Sequence, residues 1–254
     1  MAKKKKSKTE TGHAKNVANL NVMISRLQGY GTRYNPTNPL IKIPNLQTAF
    51  TSGSATMTTL DNVKPAYTKS VDDRQQIFTD MEKLSTRIIN SFHAIQGITK
   101  AQVEDVKTII RKIRGVRKDK IVDTPPPADA TEKEIEKHIS ASQKSYDQLT
   151  EHFTKLTSLV ASVPAYAPNE IDLKNTALAT FLSQLKAANQ AVINATTPYL
   201  TAMQNRNNIL YNPVTGIKDL AAEVKKYVKS VSTITLAEFR QISGLKFTRP
   251  REKK

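Results

Sequence analysis

Two stretches, YNPTNPLIK from Tyr34 and YAPNEIDLK from Tyr166, set a spacing of 132 residues that the chain then keeps without a gap. Tyr34, Pro36 and Lys42 align with Tyr166, Pro168 and Lys174. Leu46, Thr48, Ala55, Asn62, Tyr67, Arg74 and Ile77 align with Leu178, Thr180, Ala187, Asn194, Tyr199, Arg206 and Ile209. These are ten identities over the 45 positions from 34 to 78. Unrelated segments of ordinary composition would share about three. Further on, at a spacing of 129, RKIRGVR from Arg111 faces RQISGLK from Arg240. A chain written twice must fold into a structure that two copies of one segment can share.

The aligned segments also share a hydrophobic rhythm. One copy reads Leu46, Phe50, Gly53, Met57, Leu60, Lys64, Tyr67, Val71, Arg74, Phe78. The other reads Leu178, Leu182, Leu185, Asn189, Val192, Thr196, Tyr199, Met203, Arg206, Leu210. Steps of four and three residues give a period of about 3.5, the seam of long helices packed side by side. Pro65 and Pro198 fall within the seams. An interior proline costs a helix about 3 kcal/mol, but a tight turn would reset the phase, and the phase survives. A kink in a continuous helix is therefore expected rather than a hairpin. A helix of roughly 35–40 residues would be a rod on the order of 55 Å.

Shorter helices complete each copy. Val17, Leu20, Ile24 and Leu27 mark one before the first Tyr-x-Pro turn. Its counterpart carries Ile135, Ile139, Tyr146, Leu149, Phe153, Leu156 and Val160, with Thr131 and Glu134 placed as a capping box. After the long helices come Leu84, Ile88, Phe92 and Ile95 in one copy. In the other come Ile217, Leu220, Val224 and Val228, set off by the break YNPVTG. A last short helix ends at Gly115 or Gly244, where a left-handed glycine cap is expected. The fold class expected is mainly α: an elongated helical bundle built from two tandem copies of a roughly four-helix unit with pseudo-twofold symmetry. The divisions are a disordered basic tail 1–13, a first repeat 14–117, a Pro-rich linker 118–131, a second repeat 132–247 and a basic tail 248–254. The two repeats are expected to pack as one domain, because each alone offers little apolar area.

Composition supports narrow seams over one thick core: 38% of the 254 residues are hydrophobic and none is Trp. With no Cys there is no thiolate nucleophile and no Cys-ligated metal, which fits a reducing compartment. MAKKKKSKTETGHAK is not followed by an apolar run, so a signal peptide is not expected. No stretch approaches the roughly 18 apolar residues of a membrane span. The protein is expected to be soluble and cytoplasmic.

The net charge of +17 is concentrated. Residues 1–15, 107–120 and 240–254 carry net +5, +6 and +5, and the other 210 positions carry +1. Cations in the last turn of a helix complement its dipole, which accounts for Arg111, Lys112 and Arg114; those beyond the helix ends need another role. The polyanion-binding candidates are Lys3, Lys4, Lys5, Lys6, Arg111, Lys112, Arg114, Arg117, Lys118, Lys120, Lys246, Arg249, Arg251, Lys253 and Lys254.

No catalytic, cofactor or metal constellation is legible. The histidines His13, His93, His138 and His152 form no ligand pair, and Glu134 with His138 reads as a surface pair. Asp72–Asp73 and Glu104–Asp105 read as solvated helix charge. No Gly-rich phosphate loop or G-x-S-x-G is present. Arg74 and Arg206 stand on the seam, where their stems can pack and their heads snorkel to water, or where they can set register between helices. Tyr67 and Tyr199 read as core.

Three functions fit such a chain. A non-catalytic scaffold would bind another, unidentified protein, with its basic patches making electrostatic contacts. A sequence-nonspecific DNA- or RNA-binding protein would use the Lys and Arg clusters on phosphates, although only Phe247 offers an aromatic within a patch. An anionic membrane surface could attract the tails, which lack an apolar anchor. The first is preferred and nucleic acid is the alternative. The segments QKSYDQL, YAPNEIDLK, EVKKYVKSV and QISGLKF resemble a small family of bacterial, tandem-duplicated helical proteins with a lysine-rich start and no assigned function. The resemblance covers most of the chain and implies a bacterial, cytoplasmic setting, but no residue roles.

Overall fold

The computed structural model describes residues 11–115 and 144–249; they are mainly helical, with no strand among them. In chain order the helices are α1 (Thr11–Gly29), α2 (Ile43–His93), α3 (Lys100–Arg114), α4 (Tyr146–Ala161), α5 (Asn175–Tyr211), α6 (Ile217–Ser230) and α7 (Leu236–Ser243). No helix among the described residues is long and apolar enough to cross a membrane. The Thr131–Glu134 capping box, the 118–131 linker and the Glu134–His138 pair lie outside the described residues. Ser145 caps α4, its hydroxyl accepting from the Gln148 N–H at 3.2 Å.

Local sequence explains these elements. Thr99 with Gln102 and Thr235 with Glu238 form reciprocal capping boxes that start α3 and α7. Pro39 opens one of the short 3₁₀ turns, Pro39–Ile41 and Ile171–Leu173, that precede the long helices. In each case a buried tyrosine closes the turn. The Tyr34 hydroxyl donates to the Ile41 carbonyl at 2.6 Å, and the Tyr166 hydroxyl donates to that of Leu173 at 3.0 Å. Both long helices continue through their prolines, Pro65 in α2 and Pro198 in α5, as the unbroken seam requires. The seam positions are buried or half-buried except Lys64, which is exposed. α2 runs on through Leu84, Ile88 and Phe92, whereas α5 stops at Tyr211 before the YNPVTG break.

The chain divides into two compact units, Met1–Tyr67 with Thr196–Lys254, and Thr68–Ala195. The boundaries of these units fall inside α2 and α5. Each unit has its own core, which is why one chain can carry two. In the first, α1 buries Leu20, Met23 and Leu27 completely against Leu220, Val224 and Val228 of α6 and Leu46 of α2; each such side chain contributes about 1.5–3 kcal/mol. Arg33 closes this unit at its edge with a two-pronged ion pair to Glu238 at 2.9 and 3.2 Å. Tyr67 and Tyr199, half-buried, stack with centroids 4.6 Å apart. In the second unit, Phe92, Val106 and Ile113 pack with Phe153, Leu156, Val160 and Leu178.

Three local expectations change. Gly115 is left-handed at φ 68°, as expected, but Gly244 is right-handed at φ −69°, its N–H reaching the Arg240 and Ile242 carbonyls. Arg206 does not snorkel: it is 5% exposed, and its guanidinium donates to Asn207 Oδ1 at 3.0 Å. Arg74 instead lays its guanidinium 4.0 Å over the Tyr146 ring. Finally, α1 starts at Thr11, inside the span 1–13 expected to be a tail, because His13 is buried and its Nδ1 lies 2.7 Å from the Tyr211 hydroxyl.

Candidate functional site

The predicted cations that the structure describes are Arg111, Lys112, Arg114, Lys246 and Arg249; Lys3–Lys6, Arg117, Lys118, Lys120, Arg251, Lys253 and Lys254 lie outside the described residues. The first three occupy the last turn of α3, in the second unit. Successive helix positions point about 100° apart, so they cannot all share a face. Arg111 and Arg114 line a groove of about 470 Å³ between α3 and the end of α2. Lys112 turns toward α4, where it and Lys155 help to hold the His152 imidazole below its ordinary pKa, after the larger effect of burial.

The groove has an apolar floor of Ile89 and Ile110. One wall is Thr86, Asn90 and His93 of α2; the other is Lys107, Arg111 and Arg114 of α3. Arg114 Nη2 donates to Thr86 Oγ1 at 2.8 Å, and Arg111 Nη2 donates to Thr108 Oγ1 at 3.1 Å. Each guanidinium has five N–H donors, so these single bonds orient the forks and leave donors over. Lys107 reaches Glu104 at 2.8 Å, and this hydrogen bond holds the Glu104 carboxyl below its usual range. The site can therefore take a carboxylate or phosphate on the two arginines while apolar groups rest on Ile89 and Ile110. Lys107 and His93 were not among the sequence candidates. Lys107 sits one helical turn from Arg111, a spacing that could have marked it; His93 comes from another helix and carries no such signal.

Lys246 and Arg249 belong to the first unit, on the chain that follows α7. This segment runs along α1 as a strap. The Asn16 carboxamide grips the Thr248 backbone from both sides: Nδ2 donates to its carbonyl at 2.8 Å, and Oδ1 accepts from its N–H at 3.0 Å. Asn19 Nδ2 donates to the Lys246 carbonyl at 2.8 Å. Lys225 donates to the Ser243 carbonyl at 3.2 Å and to that of Leu245, with its ammonium 5.5 Å from the Phe247 ring; burial lowers its pKa. The Arg249 guanidinium lies 5.6 Å over Tyr211. Nothing in the sequence pairs Asn16 with a residue 232 positions away.

Among the described residues, no group of three or more His, Asp or Glu side chains could hold a metal. Comparison of the chain with family models, curated proteins and solved structures found no match.

Proposed function

We propose that the protein is a non-catalytic helical interaction protein whose α2–α3 groove takes an acidic, amphipathic segment of another protein. The observation that carries this reading is the juxtaposition of Arg111 and Arg114 over the Ile89–Ile110 floor. Guanidinium forks bind carboxylates in a two-pronged geometry, with charge-assisted bonds worth about 1.5–3 kcal/mol. The floor offers partner side chains a contact that a nucleic-acid backbone could not use. No Phe, Tyr or Trp lines this groove to stack a base.

The same proposal includes a duplicated ancestry. It is supported by turns that recur 132 residues apart, each with a tyrosine bonded to the carbonyl seven residues on, and by long helices that begin at Ile43 and Asn175. A bacterial, cytoplasmic setting rests on the resemblance described above. Nucleic acid is the second reading, favoured by the terminal strap rather than by the groove.

The test is fluorescence anisotropy of a labelled peptide rich in Glu and Leu against the full chain. Neutralising both forks, Arg111→Gln with Arg114→Gln, is expected to weaken binding by at least about tenfold, one ion-pair's worth. Lys112→Gln, on the other side of α3, is the matched control and leaves binding unchanged. Equal affinity for the double variant and the native chain refutes the groove.

A further inference from the structure

We propose that the group recognised by the α2–α3 groove is a phosphate monoester on the docking segment, so that phosphorylation of a Ser or Thr in the partner protein turns the contact on. This rests on the groove reading above and names its ligand. The fixed positive charges lining the groove are those of Lys107, Arg111 and Arg114, and no carboxylate lines it among the described residues. Lys107 is matched by Glu104 at 2.8 Å. Arg111 and Arg114 bond instead to neutral hydroxyls, those of Thr108 and Thr86. Two guanidinium charges are therefore left for a ligand. An Asp or Glu side chain would match one of them. A phosphorylated side chain carries about −1.5 to −2 at pH 7 and matches both.

The arrangement of donors points the same way. Thr86, Asn90 and His93 follow one another at steps of four and three along α2, and Lys107, Arg111 and Arg114 do so along α3, so each set forms one stripe. Both stripes line the groove, and the Arg114–Thr86 bond at 2.8 Å ties them together. Donors thus stand on two walls: the spare N–H groups of the two forks on one, the Asn90 carboxamide and the His93 ring on the other. A single fork satisfies a planar carboxylate. A phosphate monoester has three terminal oxygens set tetrahedrally, and it can accept from both forks and from the facing wall together. A nucleic-acid phosphodiester carries one charge and two free oxygens, and so leaves part of this donor set unused. Ile89 and Ile110, at 8% and 3% exposure, lie too deep to enter a bilayer, so a lipid headgroup would have no apolar anchor in this groove. The chemistry therefore selects a phosphorylated protein segment.

The experiment measures fluorescence anisotropy of three labelled peptides against the full chain. They share one Glu- and Leu-rich sequence and differ at a central position, which is phosphoserine, Glu or Ser. The phosphoserine peptide should bind about tenfold more tightly than the Glu peptide, the gain of one further charge-assisted contact, and the Ser peptide should bind most weakly. This comparison uses the native chain, so it does not depend on any variant folding. Arg111→Gln with Arg114→Gln should then bring the phosphoserine and Glu peptides to equal affinity, whereas Lys112→Gln should preserve the tenfold preference. Inorganic phosphate should compete with the phosphoserine peptide more effectively than acetate does. Equal binding of the phosphoserine and Glu peptides by the native chain would overturn this inference and leave the groove reading standing. Failure of all three peptides to bind would overturn both. A preference that survives the double Arg substitution would overturn the assignment to the two forks, as would a DNA duplex or anionic vesicles displacing the phosphoserine peptide more effectively than its unlabelled form.

Discussion

Removing the hydroxyl of Tyr34 or Tyr166 tests the logic of the turns that launch the long helices. Both side chains are buried, at 6% and 4% exposure, and so are the residues whose carbonyls they bind, Ile41 and Leu173, each at 3%. The rings have their own contacts: Tyr34 meets Tyr227 edge-on at 5.3 Å, and Tyr166 lies 6.0 Å from Phe92. Phe keeps those contacts and deletes only the hydrogen bond. A carbonyl sealed from water then loses its partner, at a cost of about 1–3 kcal/mol. Tyr34→Phe should sit in the upper half of that range, since its bond is the shorter at 2.6 Å. For a cooperative unit of this size, each kcal/mol lowers Tm by roughly 4 °C. Urea denaturation followed by far-ultraviolet circular dichroism gives the free energies. The two tyrosines lie in different compact units with no shared partner, so the double variant should lose the sum within about 0.5 kcal/mol. Two resolved transitions would each respond to one substitution only. Burial also raises both phenol pKa values, that of Tyr166 to about 12. A raised pKa stabilises the protonated fold below pH 10, and that contribution is lost as pH rises from 10 through about 12. The double Phe variant should flatten this alkaline loss. If neither substitution lowers stability by more than about 0.3 kcal/mol, the turns do not rely on these bonds and the reasoning fails.

Val214 is a β-branched residue at φ 73°, where a side chain costs about 1–2 kcal/mol, and it is 64% exposed. Val214→Gly should raise stability by about 0.5–1 kcal/mol after the entropy cost of glycine; a loss in thermal denaturation would refute the strain. His152 is 7% exposed, and neither ring nitrogen has a hydrogen-bond partner among the described residues. Burial first, then Lys112 and Lys155 against the weaker pull of Glu151, depress its pKa. The unfolded chain therefore takes up a proton before the folded one does, and stability should fall as pH drops below about 6.5. His152→Leu should remove that part of the fall, and an unchanged pH profile would sink the assignment.

The residues that could be read directly were those whose partners lie nearby along the chain or repeat with a period. The 3.5 seam located α2 and α5 and carried them through Pro65 and Pro198, because phase is a property of consecutive residues. The stripe Val17, Leu20, Ile24 and Leu27 marked α1 for the same reason. Gly115 was legible as a left-handed cap; Gly244 was not, since glycine permits that conformation without requiring it. The site was only half legible. Clustered charge drew attention to Arg111 and Arg114, but the split between them and Lys112 follows from where α4 and the end of α2 dock. Asn16, Tyr211 and Lys225 have ordinary sequence surroundings, and their roles exist only once the strap lies across α1. The division into units was hidden for a related reason: similarity along the chain says which segments are alike, and not which of them share a core.

That division has a consequence for biogenesis. The unit Thr68–Ala195 is continuous and can close as soon as its last residue leaves the ribosome. The other unit needs Leu210, Leu220 and Val224 to cover the apolar face of α1. During synthesis, therefore, Leu20, Met23 and Leu27 wait through more than 180 further residues before their cover is made. At about 5–20 residues per second this is a delay of roughly 10–40 seconds, long enough for a chaperone to engage the nascent chain.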